Sequence, residues 1–100
     1  MHVIVWRFRA NPERRDDFVA AYGPDGDWAR LFRRGAGYIG TELLADRTDP
    51  HAFLCIDRWG SEADFAAFKQ THGDAYRALD QRCEALTVEE THAGNFTSIA

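Results

Sequence analysis

Residues His2 to Arg9 alternate two sets of side chains. His2, Ile4, Trp6 and Phe8 face one way and Val3, Val5, Arg7 and Arg9 the other, a period of two that predicts a first strand with large apolar groups on both faces. Asn11-Pro12-Glu13 predicts a helix start: Asn11 supplies a capping oxygen and Pro12 takes the first helical position, where its missing N–H costs nothing. Phe18, Val19 and Tyr22 give this helix a buried side, and Gly23-Pro24 ends it. After the Asp25-Gly26 turn, Asp27 is expected to cap a short second helix running to Arg34, with Trp28, Leu31 and Phe32 as its apolar stripe and Gly35 as its stop.

Gly37 to Ala45 reads as a second strand, Asp46 to Pro50 as a hairpin loop and Ala52 to Trp59 as a third strand. Ser61 followed by Asp64 is a capping-box variant that opens a long helix. Phe65, Phe68 and His72 share its stripe, Gly73 bends or breaks it, and Tyr76, Leu79, Cys83 and Leu86 continue the apolar side. Thr87 to His92 predicts a fourth strand, leaving Gly94 and Phe96 to a short tail.

Strand, helix, strand, strand, helix, strand is the order of an α+β, ferredoxin-like βαββαβ fold, expected here as one domain over residues 1–100. Right-handed crossovers put both helical connections on one face of a four-stranded antiparallel sheet and leave the other bare. The first and third strands carry apolar residues on both faces, so the bare face needs a cover. Five or six such side chains left wet would forfeit roughly 1.5–3 kcal/mol each, against roughly 5–15 kcal/mol for the stability of a whole domain. A second copy of the same sheet is the simplest cover, and a homodimer through the open face is expected.

Composition narrows the function classes. The chain is 45% hydrophobic and 13% aromatic, sufficient for a small core. Its net charge of −4, with basic residues scattered apart from Arg14-Arg15 and Arg33-Arg34, gives no nucleic-acid footprint. No apolar run approaches a membrane span and no cationic leader precedes an apolar stretch, so no membrane partner and a cytoplasmic location are expected. Cys55 and Cys83 lack a CxxC spacing and read as free, packed thiols. His2, His51, His72 and His92 fall in four separate elements, so no metal site is expected. No P-loop and no Gly-x-Ser-x-Gly elbow is present.

Several segments together resemble the antibiotic biosynthesis monooxygenase (ABM) family: Val3-Ile4-Val5-Trp6-Arg7-Phe8, Pro12-Glu13, Gly35-Ala36-Gly37-Tyr38 and above all Trp59-Gly60-Ser61-Glu62-Ala63-Asp64-Phe65. The resemblance implies a dimeric α+β barrel with a cavity in each protomer that admits a polycyclic phenol or quinol. It also implies oxidation by O2 without metal or flavin, the substrate anion itself donating an electron to oxygen. The protein then has to favour that anion, hold O2 and protonate a peroxide. The haem-degrading branch of the fold needs an Asn on the first strand and a haem-ligating His in the second crossover helix. Trp6 and Arg7 stand on that strand and Ala78 near the ligand position, so haem degradation is not expected.

The candidate catalytic residues are Trp59, His72, Asp57 and Tyr38, and the candidate substrate-binding residues Trp6, Trp28, Phe32, Phe68 and Tyr76. Among these, the resemblance implicates Trp59. Its indole either donates to a substrate oxygen or stacks on a ring, or else only seals the core. His72 either points inward as an acid/base or meets the last carbonyls of a helix ending at Gly73. Asp57, among the apolar residues of the third strand, either titrates at raised pKa or pairs with Arg7 or an Arg at the dimer seam. Tyr38 and Tyr76 offer phenol hydroxyls to substrate, or reach only water and backbone. The leading expectation is a cofactor-independent monooxygenase acting on a small aromatic phenol or quinol, or a polyketide-like compound, with no cofactor. The alternatives are a non-catalytic dimeric module for small ligands or stress response, and a decarboxylase, isomerase or cyclase on the same fold.

Overall fold

A computed structural model describes residues 1–99. Strands β1 (His2–Ala10), β2 (Tyr38–Ala45), β3 (Ala52–Trp59) and β4 (Thr87–Thr97) form one sheet in the order β2-β3-β1-β4, antiparallel throughout. The first crossover holds helices α1 (Arg15–Tyr22) and α2 (Asp27–Phe32), and the second holds the long helix α3 (Glu62–Cys83). This is the expected ferredoxin-like α+β fold. No helix among the described residues is long and apolar enough to cross a membrane.

The alternation read in β1 and β3 is the alternation observed. Ile4, Phe8 and Ala10 of β1 are buried with Phe53, Cys55, Asp57 and Trp59 of β3, while Val3, Val5, Leu54 and Ile56 point to the other face and stay half-exposed. Phe18, Trp28, Leu31, Phe32, Phe68 and Leu79 come down from the helices to close the core. Trp59, fully buried, is its keystone: Phe32, Tyr38, Phe65 and Phe68 all have ring centroids 5.3–5.6 Å from the indole.

Local signals explain the joints. Asn11 accepts a hydrogen bond from the Glu13 N–H, capping a single 3₁₀ turn, Pro12–Arg14, that leads into α1. Ser61 Oγ accepts from the Asp64 N–H at the start of α3, as a capping box requires. At Gly37, with φ +87°, a Cβ would collide with the Asp64 carboxylate, so the turn into β2 requires glycine. Gly60 completes the junction, its N–H donating to the Gly37 carbonyl at 2.7 Å.

Two expectations are corrected, and of the bend or break expected at Gly73 the bend is what forms. Asp27 is the first helical residue and not the cap: Gly26 precedes it, Arg30 of the same turn pairs with it, and the helix stops at Phe32, two residues before Arg34. Helix α3 bends at His72 (φ −115°, ψ 23°) without ending there, so Phe68 and Tyr76 lie on either side of one kink. Strand β4 runs to Thr97, five residues beyond the expected end, because the amino-terminal half of β1 needs a partner: Val3 opposes Phe96 and Val5 opposes Gly94. The sheet crosses a bulge there, with Gly94 at φ +151°.

The keystone position gives a stability prediction. Trp59→Ala is expected to lower unfolding free energy by about 3–5 kcal/mol, the range for a fully buried large aromatic, measured by urea denaturation. A loss under 1 kcal/mol would mean that the indole does not hold the helices to the sheet.

Candidate active site

Between the sheet and the helices lies a cavity of about 130 Å³. Its aromatic wall comes from Trp6 and Phe8 of β1, Tyr22 of α1, Trp28 and Phe32 of α2 and Tyr76 of α3. Those rings run on from one to the next: centroids are 6.0 Å apart for Trp6–Phe8, 4.8 Å for Phe8–Tyr22, 6.1 Å for Tyr22–Trp28 and 5.0 Å for Trp28–Tyr76. Cys55 and Asp57 line the β3 side, and the exposed residues Asp80 and Glu90 mark the solvent side. An apolar cavity of about 150 Å³ holds a benzene molecule, whereas drug-sized ligands occupy roughly 300–1,000 Å³. This volume fits one ring, not the polycyclic compound implied by the family resemblance.

Asp57 is the chemical centre of the wall. It is only 8% exposed, and burial pushes its carboxyl up to about 6 although the Thr41 hydroxyl pulls the other way. Thr41 stands directly opposite on β2 and donates its hydroxyl to Asp57 Oδ1 at 2.6 Å. With its one proton so committed, Thr41 Oγ1 accepts from the Tyr38 hydroxyl, also at 2.6 Å. Tyr38→Thr41→Asp57 is thus a directed hydrogen-bond chain from a half-buried phenol to the cavity carboxyl. The expected pairing of Asp57 with Arg7 is absent: Arg7 is exposed, with its side chain on the other face of the sheet.

The wall tyrosines are poised as neutral donors. Burial, then the charges of Asp80, Asp57 and Glu90, push the Tyr76 phenol up to about 12. Burial raises Tyr22 and Cys55 further, so neither ionises near neutrality. Burial also raises Tyr38, more than its bond to Thr41 lowers it. Among the described residues the buried Trp28 Nε1 has no hydrogen-bond partner.

Of the sequence candidates, Asp57, Trp6, Trp28, Phe32 and Tyr76 line the cavity, and Tyr38 reaches it through Thr41. Trp59, Phe68 and His72 stand outside the wall: Trp59 and Phe68 are in the core, with the Trp59 N–H unpartnered, and His72 lies against Phe68 at 5.4 Å. Thr41, Phe8, Tyr22, Cys55, Asp80 and Glu90 were not anticipated. Thr41 comes opposite Asp57 because the hairpin closes on the bond from the Asp46 N–H to the Ala52 carbonyl, a register one residue away from the one that pairs the strand ends read from the sequence, Ala45 and Ala52. Among the described residues no group of three or more His, Cys, Asp or Glu side chains converges in a way that would hold a metal ion.

The family model for antibiotic biosynthesis monooxygenase matches residues 1–82. The chain belongs to that family. Among solved structures it is similar to SnoaB, a cofactor-independent oxygenase from Streptomyces nogalater, with 21% identity, a TM-score of 0.75 and coverage of 99% of this chain and 93% of that one. It is also similar to PA3566 from Pseudomonas aeruginosa (19% identity, TM-score 0.62, 99% and 94% coverage) and to a conserved protein from Methanosarcina mazei Go1 (12%, 0.70, 95% and 89%). No curated protein matches it. At these identities the likeness carries the ABM fold. The cavity of this ABM domain has to be read from its own residues.

The Asp57 environment makes stability depend on pH. A carboxyl raised from 3.8 unfolded to about 6 folded favours the protonated native state, so its contribution is complete below pH 4 and is lost between about pH 4 and 6. The loss amounts to about 3 kcal/mol at 1.36 kcal/mol per unit. Asp57→Asn is expected to abolish that fall, so the stability difference between variant and wild type, from urea curves at pH 4 and 7.5, should shift in the variant's favour by about this amount. A pH-independent difference would place the carboxyl in contact with water.

Proposed function

We propose that this ABM domain is a cofactor-independent monooxygenase acting on a single-ring phenol or hydroquinone, with Asp57 as the general base. The observation that carries this reading is the buried Asp57 carboxyl at the wall of a one-ring aromatic cavity, tied through Thr41 to Tyr38. Ionised above about pH 6, Asp57 accepts the phenol proton, and the phenolate, with carbanion character at its ring carbons, passes an electron to O2. Recombination forms a carbon–oxygen bond as a hydroperoxide. The O–O bond then breaks as the ring C–H proton leaves, giving the quinone and one water, so that phenol plus O2 balances quinone plus water with no further reductant. Protonated Asp57 or the Tyr76 phenol supplies the proton that the departing oxygen needs.

Turnover is expected as stoichiometric oxygen uptake and quinone formation from a hydroquinone or single-ring phenol with no added cofactor, kcat/KM rising through about pH 6. Asp57→Asn should cost 10²–10⁴-fold in kcat, the range for a lost general base, while His72→Ala stays within twofold. Full activity in Asp57→Asn would remove the assignment. Ligand binding without oxygen uptake would favour the non-catalytic module.

The homodimer belongs to the same proposal. The sheet face away from the helices presents Val3, Val5, Leu54 and Ile56, flanked by Leu44 and Phe96, the last 52% exposed. Their hydrocarbon supports face-to-face pairing of two sheets. Ile56→Lys, in the middle of that face, is expected to give a folded monomer by light scattering and circular dichroism. Unchanged mass would move the interface elsewhere.

A further inference from the structure

We propose that the ligand of this cavity is cationic: a single aromatic ring carrying an ammonium arm, of the size of an aminoalkylphenol. The proposal rests on the reading of this cavity as the reactive site and adds the class of substrate it selects.

The wall is acidic and aromatic at once. Asp57, Asp80 and Glu90 line it, and no Lys, Arg or His does. None of the three forms an ion pair among the described residues, although six other carboxylates of the chain each pair with an arginine. Among the described residues Asp57 accepts a side-chain hydrogen bond only from Thr41, and Glu90 only a long one, 3.2 Å, from the Thr87 hydroxyl. The carboxylate fields converge on the ligand space: Asp80, Asp57 and Glu90 all act on the Tyr76 hydroxyl, and Asp80 and Glu90 on that of Tyr22. Lys69 lies beside this wall, its ammonium 4.6 Å from the Tyr76 ring centroid, without entering the cavity lining. That contact also demonstrates the second half of the argument, because indole and phenol rings attract cations through their quadrupoles and a run of them forms a cage for ammonium groups.

Placement of the acids orients the ligand. Asp57 stands opposite Ile4 on one flank of β1, and Glu90 opposite Phe8 on the other. Four residues separate the two levels, about 13 Å of strand. Asp57 is at the buried end, and Glu90 and Asp80 at the exposed end. A ring entering hydroxyl-first meets Asp57, and an arm of two or three bonds returns its ammonium toward the rim pair. An anionic arm in that position meets two like charges and then a third.

Titration calorimetry of the full chain under anaerobic conditions, at pH 7.5 and low salt, compares tyramine, 4-ethylphenol and 3-(4-hydroxyphenyl)propionate, which share a ring and differ in the charge of the arm. Tyramine is expected to bind at least tenfold tighter than 4-ethylphenol, and the propionate more weakly than either. In Asp80→Asn/Glu90→Gln, two exposed substitutions, the tyramine advantage should fall below threefold. Binding of 4-ethylphenol as tight as tyramine, or tighter binding of the propionate, overturns the charge preference while leaving the cavity reading intact. Absence of binding by all three overturns both. Ammonium preference without oxygen uptake in air upholds the substrate class and removes only the reaction.

Discussion

The side-chain period of a β-strand leaves Asp57 no choice of face. Phe53, Cys55 and Trp59 must point at the helices for the core to exist, and residues two apart share a face, so the carboxyl between Cys55 and Trp59 is carried inward with them. A slip of one residue would return Asp57 to water only by exposing Trp59 and the rings around it. The burial of this acid is therefore a consequence of the packing that stabilises the fold. What the neighbourhood supplies is tolerance: one hydroxyl donor from the facing strand, and a gap in the aromatic packing next to it.

That gap divides the aromatic residues into two populations with different work. Around Trp59 the rings are in close contact and bury the indole completely; around Trp28 a similar set of rings lines a cavity. The two lie side by side, joined by Phe32, which touches Trp59 at 5.6 Å and Trp28 at 5.7 Å. Packing forces on Trp59 thus hold one wall of the cavity, and changes to the core should be felt at the site through Phe32 without any change of its polar groups.

Periodicity made most of this architecture legible. The alternation of β1 and β3 and the Ser61 cap are local patterns with local causes, and they survive into the structure. The second half of β4 was not legible, because Gly94 and Asn95 carry no strand signal of their own and are held in the sheet by β1. The site was legible in a similar, partial way. A sequence shows that Trp59 and Trp28 are both apolar-face residues, but which of two indoles packs tight and which borders a gap depends on the approach of α2, set by the burial of its short apolar stripe. His72 misled for a related reason: its stripe with Phe65 and Phe68 was real, but the kink at His72 itself turns the helix before the ring reaches the cavity.

The chemistry proposed for this cavity contains a tension that its charge distribution resolves. A base near pKa 6 facing a phenol near 10 leaves proton transfer uphill by about four units, or about 5.5 kcal/mol, and two further carboxylates at the rim disfavour the phenolate still more. With a neutral ring the site would work against the anion that oxygen must meet. An ammonium arm at Asp80 and Glu90 cancels one of the two rim charges, which weakens the field opposing the phenolate at the point where Asp57 takes the phenol proton. The hydrogen-bond chain complements this from the other side, because Thr41 donates to Asp57 in its ionised form and yields when the proton arrives. Substrate charge and catalytic base are then two parts of one electrostatic arrangement, and the acidic rim, which opposes an ordinary phenol, becomes the feature that selects the molecule whose ionisation the site can support.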